Sequence, residues 1–227
     1  MSTRRLVLAL GLTLLALPLG PAAPAPAREA AQASASQWMT YASGDEVLAL
    51  AVGPDGRLWA GSEGGGVVVW DADFGDFEQH LFPGPKGLPA NDVRAVALAP
   101  DGSAWLATPV GVTHAEGARW RTYGTADGLP GTDVTAIAVT DTGDVWAGTY
   151  DAGVAVLEEG QEVWTAYPAV EFVPGDEDLQ DGPGEAEVSA ILAGDDGRVW
   201  LAHGRAGAAG QPALSVYDPA DRAWRFV

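Results

Sequence analysis

The stretch VTAIAVTDTGDVWAGT at residues 134–149 decides the fold of this 227-residue chain. An apolar run precedes the turn Asp-Thr-Gly-Asp at 141–144, and a second apolar run carries Trp146. Asp and Gly between two apolar runs are typical of a β-hairpin, because such turns need residues that tolerate positive φ. The stretch therefore predicts two antiparallel strands joined by a tight turn.

The same pattern occurs four times, at residues 52–62, 98–108, 139–149 and 193–203. The recurring tryptophans lie at intervals near the period of about 40–50 residues that propeller blades show. An apolar strand and a more polar outer strand follow each hairpin, so each repeat predicts a four-stranded blade. The predicted blades cover approximately residues 47–82, 93–123, 134–167 and 188–227. A single sheet cannot bury both faces, so we expect the blades to pack face to face with a tryptophan filling each gap. The tryptophans to which we assign this structural role are Trp59, Trp105, Trp146 and Trp200.

The fold class that follows is all-β, a β-propeller of about four four-stranded blades in residues 34–227. An extra N-terminal strand is predicted at residues 37–41, ahead of the first blade. Four blades lie at the lower limit of the usual range of about four to eight. The sequence leaves three arrangements open: a truncated propeller, a four-bladed ring with a spare strand, and an incomplete ring that another copy completes.

Residues 1–33 have the layout of a secretory signal peptide. Arg4 and Arg5 precede an apolar run, and small residues at 25–27 and 31–33 offer cleavage sites after Ala27 or Ala33. An uncleaved membrane anchor is the alternative, although the run is short for a bilayer span. We therefore expect an extracytoplasmic protein, secreted or held in the periplasm or at the cell surface, with no membrane span after cleavage.

The formal net charge of −19 makes some classes of binding partner unfavourable. So acidic a chain repels phosphate backbones and anionic membranes, which argues against nucleic-acid binding. The chain contains no cysteine, which excludes disulfides, thiolate metal sites and cysteine nucleophiles.

The repeats resemble the two-component-regulator-type propeller repeat. That family has an apolar strand, Asp-x-Gly-x-Leu/Val-Trp, Gly-Thr, a Gly-rich turn and an aromatic outer strand ending near Asp-Gly-Leu-Pro. Residues 120–149 carry most of this pattern, including Asp-Gly-Leu-Pro at 127–130, and residues 86–93 repeat the inter-blade loop. The second repeat departs from it with Ala-Thr-Pro at 107–109, and the fourth with Ala-His at 202–203 followed by an insertion. The resemblance implies an extracytoplasmic sensing or interaction domain.

Candidate ligand-binding residues lie in the loops that join strand d of one blade to strand a of the next, and strand b to strand c. This is the usual ligand face of a propeller. An alternative role for these residues is turn chemistry, because Asp and Asn bond nearby backbone amides. The candidates are Glu63, Asn91, Asp92, Asp127, Asp133, Tyr150 and Asp151.

A long acidic loop at residues 168–187 raises the question of a metal site. Clustered carboxylates suit Ca²⁺, and the weak candidate ligands are Asp176, Asp178 and Asp181. The spacing misses that of an EF-hand, so a solvated loop is the alternative. We expect no cofactor, with calcium left open.

Catalysis has little support in the sequence. His80, His114 and His203 belong to different repeats, and no HExxH or nucleophile-elbow motif surrounds them. We therefore predict a binding, sensing or interaction module without catalysis, whose partner is a small molecule, a glycan or a protein outside the cytoplasm. Self-association to complete the ring is a further expectation. The alternatives are a propeller-type carbohydrate lyase or hydrolase, and a fragment of a larger propeller sensor.

Overall fold

The computed structural model describes residues 46–71, 76–84, 87–170, 178–204 and 213–227. The predicted signal peptide at 1–33 and the predicted extra strand at 37–41 lie outside the described residues and stay predictions. In the described part of the chain no helix has the length and apolar character needed to cross a bilayer.

Four antiparallel sheets follow one another along the chain, and each forms a blade with strands a to d in sequence order. Blade 1 consists of β1 (Val47–Val52), β2 (Arg57–Ser62), β3 (Val67–Asp71) and β4 (Phe77–His80). Blade 2 consists of β5 (Ala95–Leu98), β6 (Ala104–Thr108), β7 (Gly111–Glu116) and β8 (Arg119–Tyr123). Blade 3 consists of β9 (Val134–Val139), β10 (Val145–Thr149), β11 (Val154–Leu157) and β12 (Thr165–Tyr167).

Blade 4 has five strands rather than four. Its own strands are β14 (Val188–Ala193), β15 (Val199–His203), β16 (Leu214–Asp218) and β17 (Ala223–Phe226). A short strand from the preceding loop, β13 (Asp178–Gln180), pairs antiparallel with β17 at the outer edge. The predicted fold class, all-β with about four propeller blades, is confirmed, and β13 is an addition that the sequence analysis missed.

Alternation along each strand sends side chains to the two neighbouring blades. In β10, Val145 and Ala147 join the core shared with blade 2, whereas Trp146 joins the core shared with blade 4. The preceding hairpin turn contains Gly143 at φ 92°, a conformation that side-chain-bearing residues rarely adopt. The turn and the position of Trp146 therefore determine which side chains of β10 contact blade 2 and which contact blade 4.

Three hydrophobic clusters fill the gaps between blades 1 and 2, 2 and 3, and 3 and 4. The sheets approach closely where strand b carries glycine. A Cβ added to Gly148 would lie 2.5 Å from Cγ1 of Val188, the first residue of blade 4. The Gly-Thr element of the repeat thus makes room for the next blade.

In the part of the chain that the structure describes, no blade covers the outer faces of blades 1 and 4. Leu50 and Val52 in blade 1 are 64% and 70% exposed, and Leu192 in blade 4 is 66% exposed. No hydrophobic cluster joins blades 1 and 4 among the described residues, and the ring is not closed. Of the arrangements that the sequence left open, a closed four-bladed ring is therefore wrong.

Candidate functional site

Successive strands run in opposite directions, so the connections fall at two ends of the blades. We call the end formed by the b–c and d–a connections the upper end, and the end formed by the a–b and c–d turns the lower end. All seven predicted ligand-binding residues lie at the upper end. The b–c connections contribute Glu63, Tyr150 and Asp151, and the d–a connections contribute Asn91, Asp92, Asp127 and Asp133.

Arg94 brings two of the predicted residues together. Its Nε lies 3.4 Å from Oδ2 of Asp92, and its Nη1 donates to Oδ1 of Asp133 at the start of blade 3. The second carboxylate oxygen of Asp92 is shielded from solvent and has no hydrogen-bond partner among the described residues. Arg94 therefore ties the d–a connections that lead into blades 2 and 3.

Two other predicted residues hold their own loops. The side-chain amide of Asn91 donates to the carbonyl of Phe82 at 3.0 Å and accepts from the N–H of the same residue at 2.5 Å. Asp127 accepts from the N–H of Gly124 at 2.9 Å and lies 3.3 Å from Arg121. These contacts are the turn chemistry that the sequence analysis gave as the alternative.

The remaining three, Glu63, Tyr150 and Asp151, are exposed. Tyr150 is 45% exposed, and its N–H donates to the carbonyl of Asp133 at 2.9 Å, which places it beside the Arg94 ion pairs. The upper end therefore gathers Asp92, Asp133 and Tyr150 at the junction of blades 2 and 3.

The candidate calcium ligands are not brought into one site by the described residues. Asp176 lies outside them, Asp178 belongs to β13, and Asp181 is exposed after that strand. Within the described ranges, no group of three or more His, Asp or Glu side chains is placed to hold a metal ion. Calcium binding in this loop stays a prediction.

A cleft at the lower end, between blades 2 and 3, has the size of a small-molecule site. Its volume is about 410 Å³, and we call it the aromatic cleft. Trp105, His114 and Tyr123 of blade 2 form one wall. The turns at 99–103, 141–143 and 158–161 supply the polar rim, which includes Asp101, Glu158 and Glu159.

His114 is the unusual member of that wall. Its ring stacks on Trp105 with centroids 4.0 Å apart and planes 9° apart. Its Nε2 is shielded from bulk solvent and has no hydrogen-bond partner among the described residues. Burial lowers the pKa of His114, so the ring is neutral at pH 7.

The rest of the cleft contains both charged and neutral polar side chains. Asp101 accepts from the N–H of Ser103 at 2.9 Å, and this hydrogen bond is the main cause of a lowered Asp101 pKa. Burial raises the pKa of Tyr123, so its hydroxyl stays protonated. The cleft thus offers an ionised carboxylate, a neutral imidazole and a phenol.

A second cleft of about 350 Å³ lies between blades 1 and 2 at the same end. Trp59, Trp120 and His80 line it together with the charged side chains of Asp55 and Arg57. The rings of His80 and Trp120 meet edge to face at 4.9 Å. The two clefts are repeats of one architecture: a tryptophan from strand b faces the turns of the next blade.

His203 occupies a different environment, inside blade 4. It is 5% exposed, its Nε2 lies 2.7 Å from Oγ of Ser215, and its Nδ1 lies 3.2 Å from the carbonyl of Glu187. The carbonyl can only accept, so Nδ1 carries the proton and Nε2 accepts from the serine hydroxyl. That hydroxyl oxygen also accepts from the N–H of Gly184 at 3.1 Å. The group fastens the long loop to the blade, and burial lowers the pKa of His203.

The sequence analysis missed the aromatic cleft because it treated Trp105 as packing alone and His114 as an isolated histidine. A signal was available in strand c. Directly opposite the recurring tryptophan, the other blades carry Val69, Val156 and Val216, whereas blade 2 carries His114. A polar residue at a position that is otherwise apolar marks a site worth testing for function.

Comparisons with known proteins agree with the blade architecture. The family model described as two component regulator propeller matches residues 128–151. No curated protein sequence matches the chain significantly. Among solved structures, the chain is similar to an extracellular domain assigned to a hybrid two component system, BT3049, from B. thetaiotaomicron (17% identity, TM-score 0.61, covering 85% of this chain and 24% of that one).

Two further structures show how widely the fold is shared. An extracellular domain assigned to a one component system, BT4673, from B. thetaiotaomicron matches with 16% identity and a TM-score of 0.59, covering 81% of this chain and 25% of that one. Virginiamycin B lyase from Staphylococcus aureus matches with 14% identity and a TM-score of 0.57, covering 77% of this chain and 53% of the lyase. The chain spans about a quarter of the length of the two extracellular domains. These likenesses show the propeller fold, and residues 128–151 identify the chain as one that carries the two component regulator propeller repeat.

Proposed function

We propose that this chain is an extracytoplasmic binding module that senses a small neutral or cationic molecule in the aromatic cleft and does not catalyse a reaction. The observation that carries the proposal is the cleft of about 410 Å³, lined by the half-buried His114 ring and by carboxylates from three turns. A cleft of this size that combines an aromatic ring with a few polar groups is typical of small-molecule sites.

The chemistry of the cleft favours one class of ligand. Trp105 and Tyr123 lie at the base of the cleft and are only 6% and 5% exposed, so a ligand would meet mainly the half-buried His114 ring. The rim offers carboxylates that accept hydrogen bonds. Such a combination suits sugars and small amines. The net charge of −19 opposes the approach of anions.

The extracytoplasmic location rests on the predicted signal peptide at 1–33 and on the extracellular domains with which this chain shares its fold. The sensing role rests on the two component regulator propeller repeat at 128–151. Glycans and small molecules therefore come before proteins among the partners that we expect.

A lyase or hydrolase role is the weaker candidate. His114 stacks on Trp105, and His203 is enclosed by Ser215 and the carbonyl of Glu187. Among the described residues, neither imidazole lies within hydrogen-bond distance of a carboxylate that would orient it as a general base. Turnover of a carbohydrate or lactone by the wild type that His114→Ala or His203→Ala abolishes would reverse this ranking.

The proposal is tested by calorimetric titration with matched neutral, cationic and anionic sugars, for example glucose, glucosamine and glucuronate, within a wider panel. We expect saturable binding without turnover, with the anionic form weakest. His114→Phe keeps the stack on Trp105 and removes the ring nitrogens, so it should weaken binding about tenfold, or roughly 1.4 kcal/mol.

The matched controls are Tyr150→Phe and Asp151→Asn at the upper end, which should leave the affinity unchanged. The reverse pattern, with binding lost in these variants and kept in His114→Phe, would place the ligand among the residues predicted from the sequence. A panel without any saturable binding would count against a small-molecule ligand altogether.

A further inference from the structure

The outer edge of blade 4 shows how a strand d accepts a further strand. There β13 pairs antiparallel with β17, so a segment from the preceding loop covers the edge of the sheet. The register places the acidic residue Asp178 opposite Arg225, and Gln180 opposite Trp224. When a strand is added to a sheet, main-chain hydrogen bonds provide affinity and the side chains provide selectivity. The dipeptide Trp-Arg at 224–225 thus lies in an edge that pairs with an acidic segment.

Strand β8 of blade 2 repeats this edge. Cross-strand pairing puts Trp120 and Arg121 at the register positions of residues 224 and 225. Blades 1 and 3 have Phe-Glu at 77–78 and Trp-Thr at 164–165 in the same positions. β8 also has five residues, whereas the other strands d have three or four. Blade 2 therefore offers the edge that is most like the one that β13 occupies.

The outer edge of β8 is unpaired among the described residues. The sheet ends at β8, and residues 119–123 make no backbone hydrogen bond beyond those with β7. A depression of about 450 Å³ borders the strand, and its lining includes Arg119, Trp120 and Arg121. Unpaired N–H and C=O groups at a sheet edge are a template for another strand. An added strand would displace no main-chain hydrogen bond of the described part of the chain.

Arg119, the first residue of β8, carries a charge without a counterion. Its side chain is exposed, and it has no ion pair in the described ranges although the chain contains 31 acidic residues. Arg121 differs, because it already lies near the carboxylates of Asp127 and Glu162. Each of the other described arginines also lies within 4.0 Å of a carboxylate; they are Arg57, Arg94, Arg198, Arg222 and Arg225. Arg119 is therefore the charge left to select a binding partner at this edge.

We propose that β8 binds an extended acidic segment of a protein partner, which joins blade 2 as a fifth strand antiparallel to β8. If the register of β13 on β17 is repeated, residue 180 of such a segment lies opposite Trp120 and the acidic residue 181 lies opposite Arg119. A second copy of β8 is a poorer occupant, because full antiparallel pairing would put Arg121 opposite itself, and like charges directly opposite are destabilising. The proposal does not depend on a ligand in the aromatic cleft.

The probe is a fluorescein-labelled peptide with the sequence of residues 176–182, DEDLQDG, and fluorescence anisotropy measures its binding to the full chain. We expect saturable binding that weakens as salt is added. N-methylation of the peptide at one residue at a time tests strand addition. Loss of binding should alternate along the peptide, because successive N–H groups of an edge strand point alternately towards and away from its partner.

Arg119→Ser tests the charge. It should weaken binding about threefold, the effect of one exposed ion pair. A peptide with asparagine in place of Asp181 should bind the wild type more weakly by the same factor and should not respond to Arg119→Ser. Arg222→Ser is the matched control, since it removes the same charge from the c–d turn of blade 4, where the side chain is 79% exposed. It should leave the affinity unchanged.

Hydrogen exchange locates the bound peptide, which should slow exchange in residues 119–123. Protection at β17 instead would mean that the peptide replaces β13, and it would overturn the proposal. Equal affinities across the N-methyl series, or equal affinities of Arg119→Ser and Arg222→Ser, would contradict it as well. Absence of saturable binding at millimolar peptide would also refute it, and would leave Arg119 as a charge that keeps the edge unpaired.

Discussion

The closest approach between two blades, at Gly148, allows a prediction with a magnitude. In Gly148→Ala, the new Cβ would lie 2.5 Å from Cγ1 and 2.7 Å from Cβ of Val188, and 3.2 Å from Cδ1 of Ile191. Val188 is fully buried and cannot turn away into solvent. Overpacking of one methyl group in a tight core costs about 1–3 kcal/mol. We therefore expect the free energy of unfolding to fall by that amount and the melting temperature by several degrees.

The matched control is Gly124→Ala. Gly124 has a φ of −132°, which any residue adopts, and a Cβ built there has no neighbouring atom within 4 Å. Its substitution should be neutral or slightly stabilising, because alanine restricts the unfolded chain more than glycine does. Urea unfolding, followed by tryptophan fluorescence, measures both variants.

A double-mutant cycle separates the steric contact from other causes. Val188→Ala removes Cγ1, the atom that the new Cβ approaches most closely, and leaves Cβ in place. The glycine substitution should therefore cost less in that background than in the wild type, although not nothing. If Gly148→Ala unfolds at the same urea concentration as Gly124→Ala, the glycine is not needed for blade approach. An equal cost in both Val188 backgrounds would likewise refute the steric explanation.

Three further predictions concern residues that hold loops. Because burial lowers the pKa of His203, the folded state favours the neutral ring. The free energy of unfolding should therefore fall as the pH drops below the ordinary imidazole pKa of about 6.5. In urea unfolding between pH 5 and 7.5, His203→Gln should make this pH dependence weaker. Arg94→Met removes the cation shared by Asp92 and Asp133 and should lower the free energy of unfolding by about 0.5–1 kcal/mol. Because salt screens these ion pairs in the wild type, the difference between wild type and variant should be smaller in 1 M salt. Asn91→Ala removes both hydrogen bonds to Phe82, so amide exchange at that residue should accelerate while the melting temperature shifts by less than in Gly148→Ala.

Local chemistry explains why the blades could be predicted from sequence. The hairpin between strands a and b needs only a turn with positive φ and two apolar runs, and both are visible in the residues around Gly143 and Trp146. Strand d was harder, but an aromatic residue such as Trp120 or Trp224 marked it. What these signals share is short range: each strand pairs with its neighbour in sequence.

The strand β13 and the aromatic cleft escaped prediction because both depend on contacts between distant segments. Nothing in Asp178–Gln180 indicates a strand until β17 offers an edge for it. The cleft needs the rigid-body placement of blade 3 against the wall that contains His114, which no local pattern encodes. The seven predicted ligand residues stay a prediction; the structure gives Asn91 and Asp127 loop contacts and leaves Tyr150 exposed.

Position 203 shows how the repeat itself can reveal a substitution with consequences. Ser62, Thr108 and Thr149 end strand b in blades 1 to 3, and each hydroxyl donates to the carbonyl of a glycine that begins strand c or directly precedes it. Blade 4 has His203 there, and a b–c insertion replaces the short turn. An imidazole reaches farther than a hydroxyl, so it bonds Ser215 within strand c instead. His203, one of the three histidines that the sequence analysis considered, thus replaces a turn hydroxyl, and its titration should report on the stability of blade 4.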